Sequence, residues 1–364
     1  MIGADVAGRL GRTALPIVAA LAFASGIGAT LAVAGDTLGY DFLAYHAAAV
    51  RLLGGAPLFD MSFTQSGGSG LFYYPPTFAP LILPFGLLPA STATWAWIGG
   101  SLVAFLTGVA VMPVSRAVRW WIVVLAGLSF PFVYAVKLGQ VGPLLFLTFA
   151  IGWRWFDDPI RLGASGAIGA AVKLQPGLIL VWAVLTRRFR AVAVGSIVLI
   201  ILAVAATLLA GMGSWPDFVT LIQTVSDPIA TDQNLTPGAV AFQLGVPAVT
   251  ATIIQLASTV AVVVALAAAV RWSTAEASYL VAAVASQLVS PILWDHYALL
   301  LLLPVAYLLA AGRWWALAIP LVTAWPLVGL TPAVVYPVVF WLTLLATLVI
   351  GRAARRVEQA PVAA

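Results

Sequence analysis

The chain has 364 residues, of which 63% are hydrophobic and only 8% charged. A soluble domain of that length needs a much larger charged fraction on its surface, so the composition excludes one and points to many membrane spans. The net charge of +5 comes from basic residues scattered between apolar runs, which speaks against nucleic acid, and the absence of cysteine excludes disulfides, zinc-thiolate sites and thiol catalysis.

The first apolar run, 14–34, follows Arg9 and Arg12. Its end, Ala32-Val33-Ala34, resembles a cleavage site, but the run exceeds the roughly 7–15 residues of a secretory signal, so an uncleaved anchor is expected. The first outer loop is then 35–75. Over 41–53 its pattern predicts an amphipathic helix lying on the membrane, with Asp41, Tyr45, Ala48 and Leu52 on one face and Gly54-Gly55 ending it. Asp41 has two readings. It is a general base for an attacking hydroxyl, or, like Asp36, it caps the following helix. Residues 65–70 read as a flexible glycine- and serine-rich stretch, followed by the extended pair Pro75-Pro76.

Further apolar segments fall near 76–88, 92–112, 119–136, 140–156, 162–184, 190–211, 247–270, 276–293, 297–311, 314–329 and 333–350. Read as about 12 transmembrane helices of a single integral membrane domain over 1–364, they put the loops 35–75, 212–246 and 294–297 outside. That reading also puts Arg116, Arg119, Arg154 and Arg161 outside, against the usual charge bias. An alternative gives 76–112 an odd number of passes, splits 162–186 into two half-helices and moves 139–142 outside. Charge favours the alternative and segment length favours twelve full passes.

Lys173 interrupts an apolar run just before Gln175-Pro176-Gly177. An intramembrane lysine is costly, and beside a Pro-Gly break its natural role is to bind a phosphate; the plain reading is a side chain snorkelling to the interface. The second large outer loop, 212–246, holds Gln233 and Asn234, amides suited to sugar hydroxyls or simply to water. Near the last outer loop, Asp295 is placed to orient or charge His296, unless Trp294, His296 and Tyr297 are only an interfacial anchor. Two histidines in the whole chain make a multi-histidine metal site improbable, and no metal or cofactor is expected.

These pieces, in this order, resemble the polytopic mannosyltransferases of glycosyltransferase family 87. The steps are Asp41-Phe42-Leu43-Ala44-Tyr45, Leu58-Phe59-Asp60, Tyr74-Pro75-Pro76, Gly139-Gln140, Lys173-Leu174-Gln175-Pro176, Asp232-Gln233-Asn234-Leu235 and Ser290-Pro291-Ile292-Leu293-Trp294-Asp295-His296. Phe42 stands where the family has leucine, and Gly142 where it often has asparagine. The resemblance implies an all-α polytopic GT-C fold with an active site on the extracytoplasmic face of the plasma membrane. It implies a hexose, mannose first, passed from a polyprenyl-phosphate donor to a lipid-linked or envelope-glycan acceptor by inverting displacement. Asp41 would be the base, Lys173 and His296 would hold the donor phosphate, and Tyr45, Asp60, Gln140, Gln233, Asn234 and Asp295 would contact sugar or acceptor. Partners would be these substrates and membrane lipids, with the protein a monomer. The rival readings are a lipid or glycolipid transporter without transferase activity, which predicts internal repeats and mid-membrane polar residues, and an envelope scaffold.

Overall fold

The computed structural model describes residues 2–63, 71–225 and 227–359; the glycine- and serine-rich stretch 65–70 lies outside them. A long helix, α1 (Ile2–Ala34), leads through a 3-10 turn to α2 (Tyr40–Leu53), and α3 (Ala79–Ile82) sits between two 3-10 turns. Next come α4 (Ala90–Val111), α5 (Arg116–Leu128), α6 (Phe130–Leu138), α7 (Gly142–Arg154), α8 (Pro159–Val172), α9 (Leu178–Leu185) and α10 (Phe189–Ala210). The chain continues through α11 (Ser214–Val225), α12 (Pro237–Gln243), α13 (Ala248–Trp272), α14 (Ala275–Leu288), α15 (Leu302–Ala310), α16 (Ala318–Leu321) and α17 (Val335–Glu358). No strand occurs among the described residues; a lone antiparallel bridge joins Ser129 and Ala324.

Local chemistry sets several helix starts. The side chains of Ser115, Asp158, Thr236 and Thr274 accept hydrogen bonds from backbone N–H groups of the first turns of α5, α8, α12 and α14, satisfying donors that have no partner within the helix. Helix α14 is buried at every position from Ala277 to Leu288, whereas α10 and α13 leave Ile200, Ile201, Leu208, Leu256 and Val260 exposed. Exposed aliphatic rows of this kind suit contact with lipid, where a helix satisfies its own backbone.

Among the described residues, five helices are long and apolar enough to cross a membrane: the span Ala14–Thr37 that includes most of α1, then α4, α10, α13 and α17. A sixth candidate is the pair α6 and α7, bent by 119° at their junction. About twelve full-length helices were expected; the other apolar segments are short or broken instead. Residues 76–87 form 3-10 turns around α3, and the segment 162–184 breaks at Lys173, whose backbone is extended (φ −150°, ψ 136°), into α8 and α9. Proline and glycine at these breaks explain why length alone misled.

The helices have two distinct polar ends. At one, Arg188 pairs with Asp157 at 2.7 Å, Trp153 donates to Glu276, and Arg355 donates to the carbonyls of Arg271 and Ser273. At the other, the Gly39 N–H donates to the Lys137 carbonyl at 2.7 Å, and the Leu235 N–H donates to the Leu293 carbonyl at 2.7 Å. Helix α7 runs from the second end to Arg154 at the first, and α8 runs back from near Asp158 to Lys173. The corner 139–142 therefore meets the first loop, and Arg154 and Arg161 stand at the far end from it. This corrects the twelve-pass reading that grouped those arginines with the first loop, and it matches the alternative that charge favoured.

Candidate active site

The site forms where α2 rests on the corner between α6 and α7. Gly139 ends α6 in the left-handed region (φ +67°), and a Cβ there would come within 2.7 Å of the Phe42 Cβ. Glycine therefore allows both the turn and the close approach of α2. Its carbonyl accepts a hydrogen bond from the Trp97 indole at 2.7 Å, and the Trp97 ring stacks on Phe42 at 5.2 Å. Phe42, Tyr45, Ala48 and Ala49 are buried, so the face containing Asp41 and Tyr45 turns inward as the helical pattern predicts.

Asp41 lies in the first turn of α2, but the cap position belongs to Gly39, which has no side-chain cap bond. The Asp41 carboxylate instead accepts a hydrogen bond from the Gln140 side-chain amide. Gln140 in turn accepts from the Tyr74 hydroxyl at 3.0 Å, and Tyr74 shares a hydrogen bond of 2.6 Å with Tyr45. Burial pushes the Asp41 carboxyl above the ordinary range; His296, the Gln140 bond and Lys173 pull it down, and Asp295 pushes it up. Gln140, Lys173, Asp295 and His296 thus all act on Asp41, although the five residues come from four separate stretches of chain.

Lys173 projects from the break after α8. Its backbone N–H donates to Gly169, and the Thr77 hydroxyl donates to the Ala171 carbonyl at 2.7 Å, meeting the polar demand of the broken helix end. The Lys173 ammonium donates to the Tyr297 hydroxyl and lies over the Tyr74 ring as well. His296 keeps only 5% of its surface exposed, and neither ring nitrogen has a hydrogen-bond partner among the described residues. Nδ1 lies 3.3 Å from Asp295 Oδ1, an approach without hydrogen-bond geometry, and that oxygen accepts the His296 backbone N–H at 2.6 Å. A cavity of about 10 Å³ is lined by Gln140, Lys173, Gln287, His296 and Tyr297 among others. A buried imidazole lacking partners beside a lysine is equipped to receive an anion.

Other residues expected to touch sugar are placed differently. Asn234 is fully buried: its amide nitrogen donates to the carbonyls of Pro228 and Pro291, and its oxygen accepts from the N–H groups of Thr236 and Leu293. Both polar atoms of that side chain bond the backbone, a clasp that holds the loop to 291–293. Gln233 beside it is exposed, with a left-handed backbone (φ +59°). Asp60 accepts from the N–H and hydroxyl of Ser62, which hold its carboxyl below the usual range, and it shares no hydrogen bond with the Asp41 cluster among the described residues. Tyr45 is buried against Tyr74, which removes it from direct contact with a sugar.

Three participants escaped the sequence reading as site residues. Tyr74 stands in the Tyr-Pro-Pro step and Tyr297 directly follows His296, so their positions carried a signal. Gln287 is an amide within the apolar segment of α14 and is 2% exposed, and a lone polar residue in an apolar run is such a signal too.

No curated protein and no solved structure matches the chain. The model of glycosyltransferase family 87 does match, over residues 72–291. That stretch holds Tyr74, Gln140, Lys173 and the Asn234 clasp, and stops just short of His296, while Asp41 precedes it. Because the match covers more than half of the chain, the protein belongs to glycosyltransferase family 87.

Proposed function

We propose that this protein transfers a hexose, mannose first, from a polyprenyl-phosphate donor to a lipid-linked or envelope-glycan acceptor. The observation that carries the reading is the meeting of one carboxylate, Asp41, with Lys173 and His296 at one end of the bundle: Gln140, which donates to Asp41, lines one small cavity with that lysine and histidine. A base and an anion site side by side are what a displacement at a phosphate-activated sugar requires. Asp41 takes the proton of the acceptor hydroxyl as its oxygen bonds to the anomeric carbon. The bond from that carbon to the phosphate oxygen breaks, its electrons remain on the lipid phosphate, and Lys173 and the His296 imidazole stabilise that charge. One displacement inverts the anomeric centre.

The fold favours a GT-C arrangement with the site on the extracytoplasmic face of the plasma membrane. Arginines gather at the end opposite the site, and basic residues mark the cytoplasmic side. Membership of the family favours transfer over the transporter reading. The test is transfer of label from radiolabelled polyprenyl-phosphate mannose into the lipid extract of membranes containing the protein. Label that appears with wild type and not with Asp41→Asn supports the proposal; equal labelling in membranes lacking the protein defeats it.

A further inference from the structure

The hydrogen bonds behind Asp41 have a direction. A phenol has one proton to donate, and the Tyr74 hydroxyl donates its proton to Gln140 Oε1. In the 2.6 Å bond between the two phenols, Tyr45 must therefore be the donor and Tyr74 the acceptor. With its carbonyl fixed by Tyr74, Gln140 presents its NH₂ group to Asp41 Oδ2. A flipped amide would set its oxygen against the carboxylate, which can only accept, so Asp41 decides which way the amide faces and the Tyr74 hydroxyl donates to the oxygen left behind it. Burial raises both tyrosines well above the usual phenol range, so both remain donors across the working pH range.

We propose that Tyr45, Tyr74 and Gln140 form a one-way chain of donors that holds Asp41 by Oδ2 and leaves Oδ1 to receive the acceptor's proton. The proposal rests on the reading of Asp41 as the base. It makes Gln140, Tyr74 and Tyr45 positioning residues, not sugar contacts. The three come from α2, from the loop before α3 and from the α6–α7 corner, and Tyr45 packs edge-on against Tyr74 at 4.8 Å and against Phe78 at 5.5 Å. Rings packed in this way fix the phenols before substrate arrives, as preorganised catalysis requires.

The experiment measures initial transfer rate against pH with radiolabelled polyprenyl-phosphate mannose, for purified full-length wild type, Asp41→Asn, Gln140→Leu, Tyr74→Phe and Tyr45→Phe. Loss of a donor to a carboxylate raises its pKa, so the acid limb of the Gln140→Leu profile should move up by about one pH unit. Tyr74→Phe should move it the same way by less, and Tyr45→Phe least. The Gln140→Leu, Tyr74→Phe double variant should move it no further than Gln140→Leu alone, because both act along one path. The donor KM should stay near wild type throughout. Tyr74→Phe keeps the ring packing, so it carries the test if Gln140→Leu fails to fold. An infrared pH titration of the carboxyl band that Asp41→Asn abolishes supplies a readout without turnover, with its midpoint expected to rise in the same order. An active Asp41→Asn defeats the base reading itself. An inactive Asp41→Asn, with limb and midpoint unmoved in Gln140→Leu and Tyr74→Phe, overturns only the positioning chain.

Discussion

Lys173 and Tyr297, 124 residues apart in the chain, meet with the lysine ammonium 3.9 Å from the centre of the tyrosine ring and donating to its hydroxyl. No carboxylate lies within salt-bridge distance of that ammonium among the described residues. Aromatic faces stabilise a cation without pairing it, as the proposed contact with a donor phosphate requires.

Lys173→Met should therefore lower kcat/KM for the donor by about 10–100-fold, the usual worth of a hydrogen bond to a charged group. Lys173→Arg keeps the charge in a different geometry and should retain partial activity. Tyr297→Phe preserves the ring beneath the ammonium and should cost only a few-fold. Initial rates against donor concentration decide the matter: an unchanged donor dependence in Lys173→Met leaves the lysine a purely structural role.

Asp41→Asn should abolish transfer, by about 10²–10⁴-fold, with the fold intact. Asparagine still offers an oxygen to the Gln140 amide. The carboxyl is raised above its ordinary value in the folded state, chiefly by burial. Its contribution to stability is therefore greatest below the unfolded value and declines as pH rises through the folded one. At neutral pH the substitution should leave the melting temperature equal or higher. Wild-type activity should fall as pH drops through the raised pKa, at a higher pH than an ordinary carboxylate would give. A large loss of thermal stability in Asp41→Asn would assign the residue to structure.

The Asn234 clasp leads to a different outcome. Asn234→Ala strands two carbonyls and two N–H groups, and should destabilise the protein by about 2–4 kcal/mol while leaving the donor KM unaltered. Its neighbour Gln233 holds a left-handed backbone that costs an ordinary residue about 1–2 kcal/mol. Gln233→Gly should thus be neutral or mildly stabilising. Thermal melts of the two variants, read beside donor kinetics, separate the clasp from a sugar contact.

Sidedness is testable because the native chain has no cysteine. Cysteines introduced at the exposed positions Asp232 and Arg161 should differ in intact cells. Asp232→Cys, at the site end, should react with a membrane-impermeant maleimide, and Arg161→Cys should not. The reverse pattern would put the site on the cytoplasmic side.

The sequence made some of this legible and hid the rest for physical reasons. Helix α2 and its inward face followed from the spacing of Asp41, Tyr45 and Ala48, because a helix facing a core carries that period in its side chains. The break at Lys173 was visible in the Pro-Gly pair behind it. Segment length, in contrast, suggested full spans where α3, α8 and α9 are short, since hydropathy reports burial in an apolar medium and not helix continuity. The contacts that Tyr45, Gln140 and Asn234 make with the chain itself were hidden for one shared reason. An amide or phenol in an outer loop has the same composition whether it faces a sugar or the chain itself, and only tertiary contact decides which.

The lysine–tyrosine meeting also bears on how the protein is made. At about 5–20 residues per second, the 124 residues separating Lys173 from Tyr297 take the ribosome roughly 6–25 s to add. Throughout that interval the nascent chain carries an ammonium whose Tyr74 ring is already made and whose hydrogen-bond partner Tyr297 is not. Membrane insertion therefore has to tolerate a half-built polar pocket, and a stall in translation before Tyr297 would leave a chain with many of its helices in place and its costliest charge still without that partner.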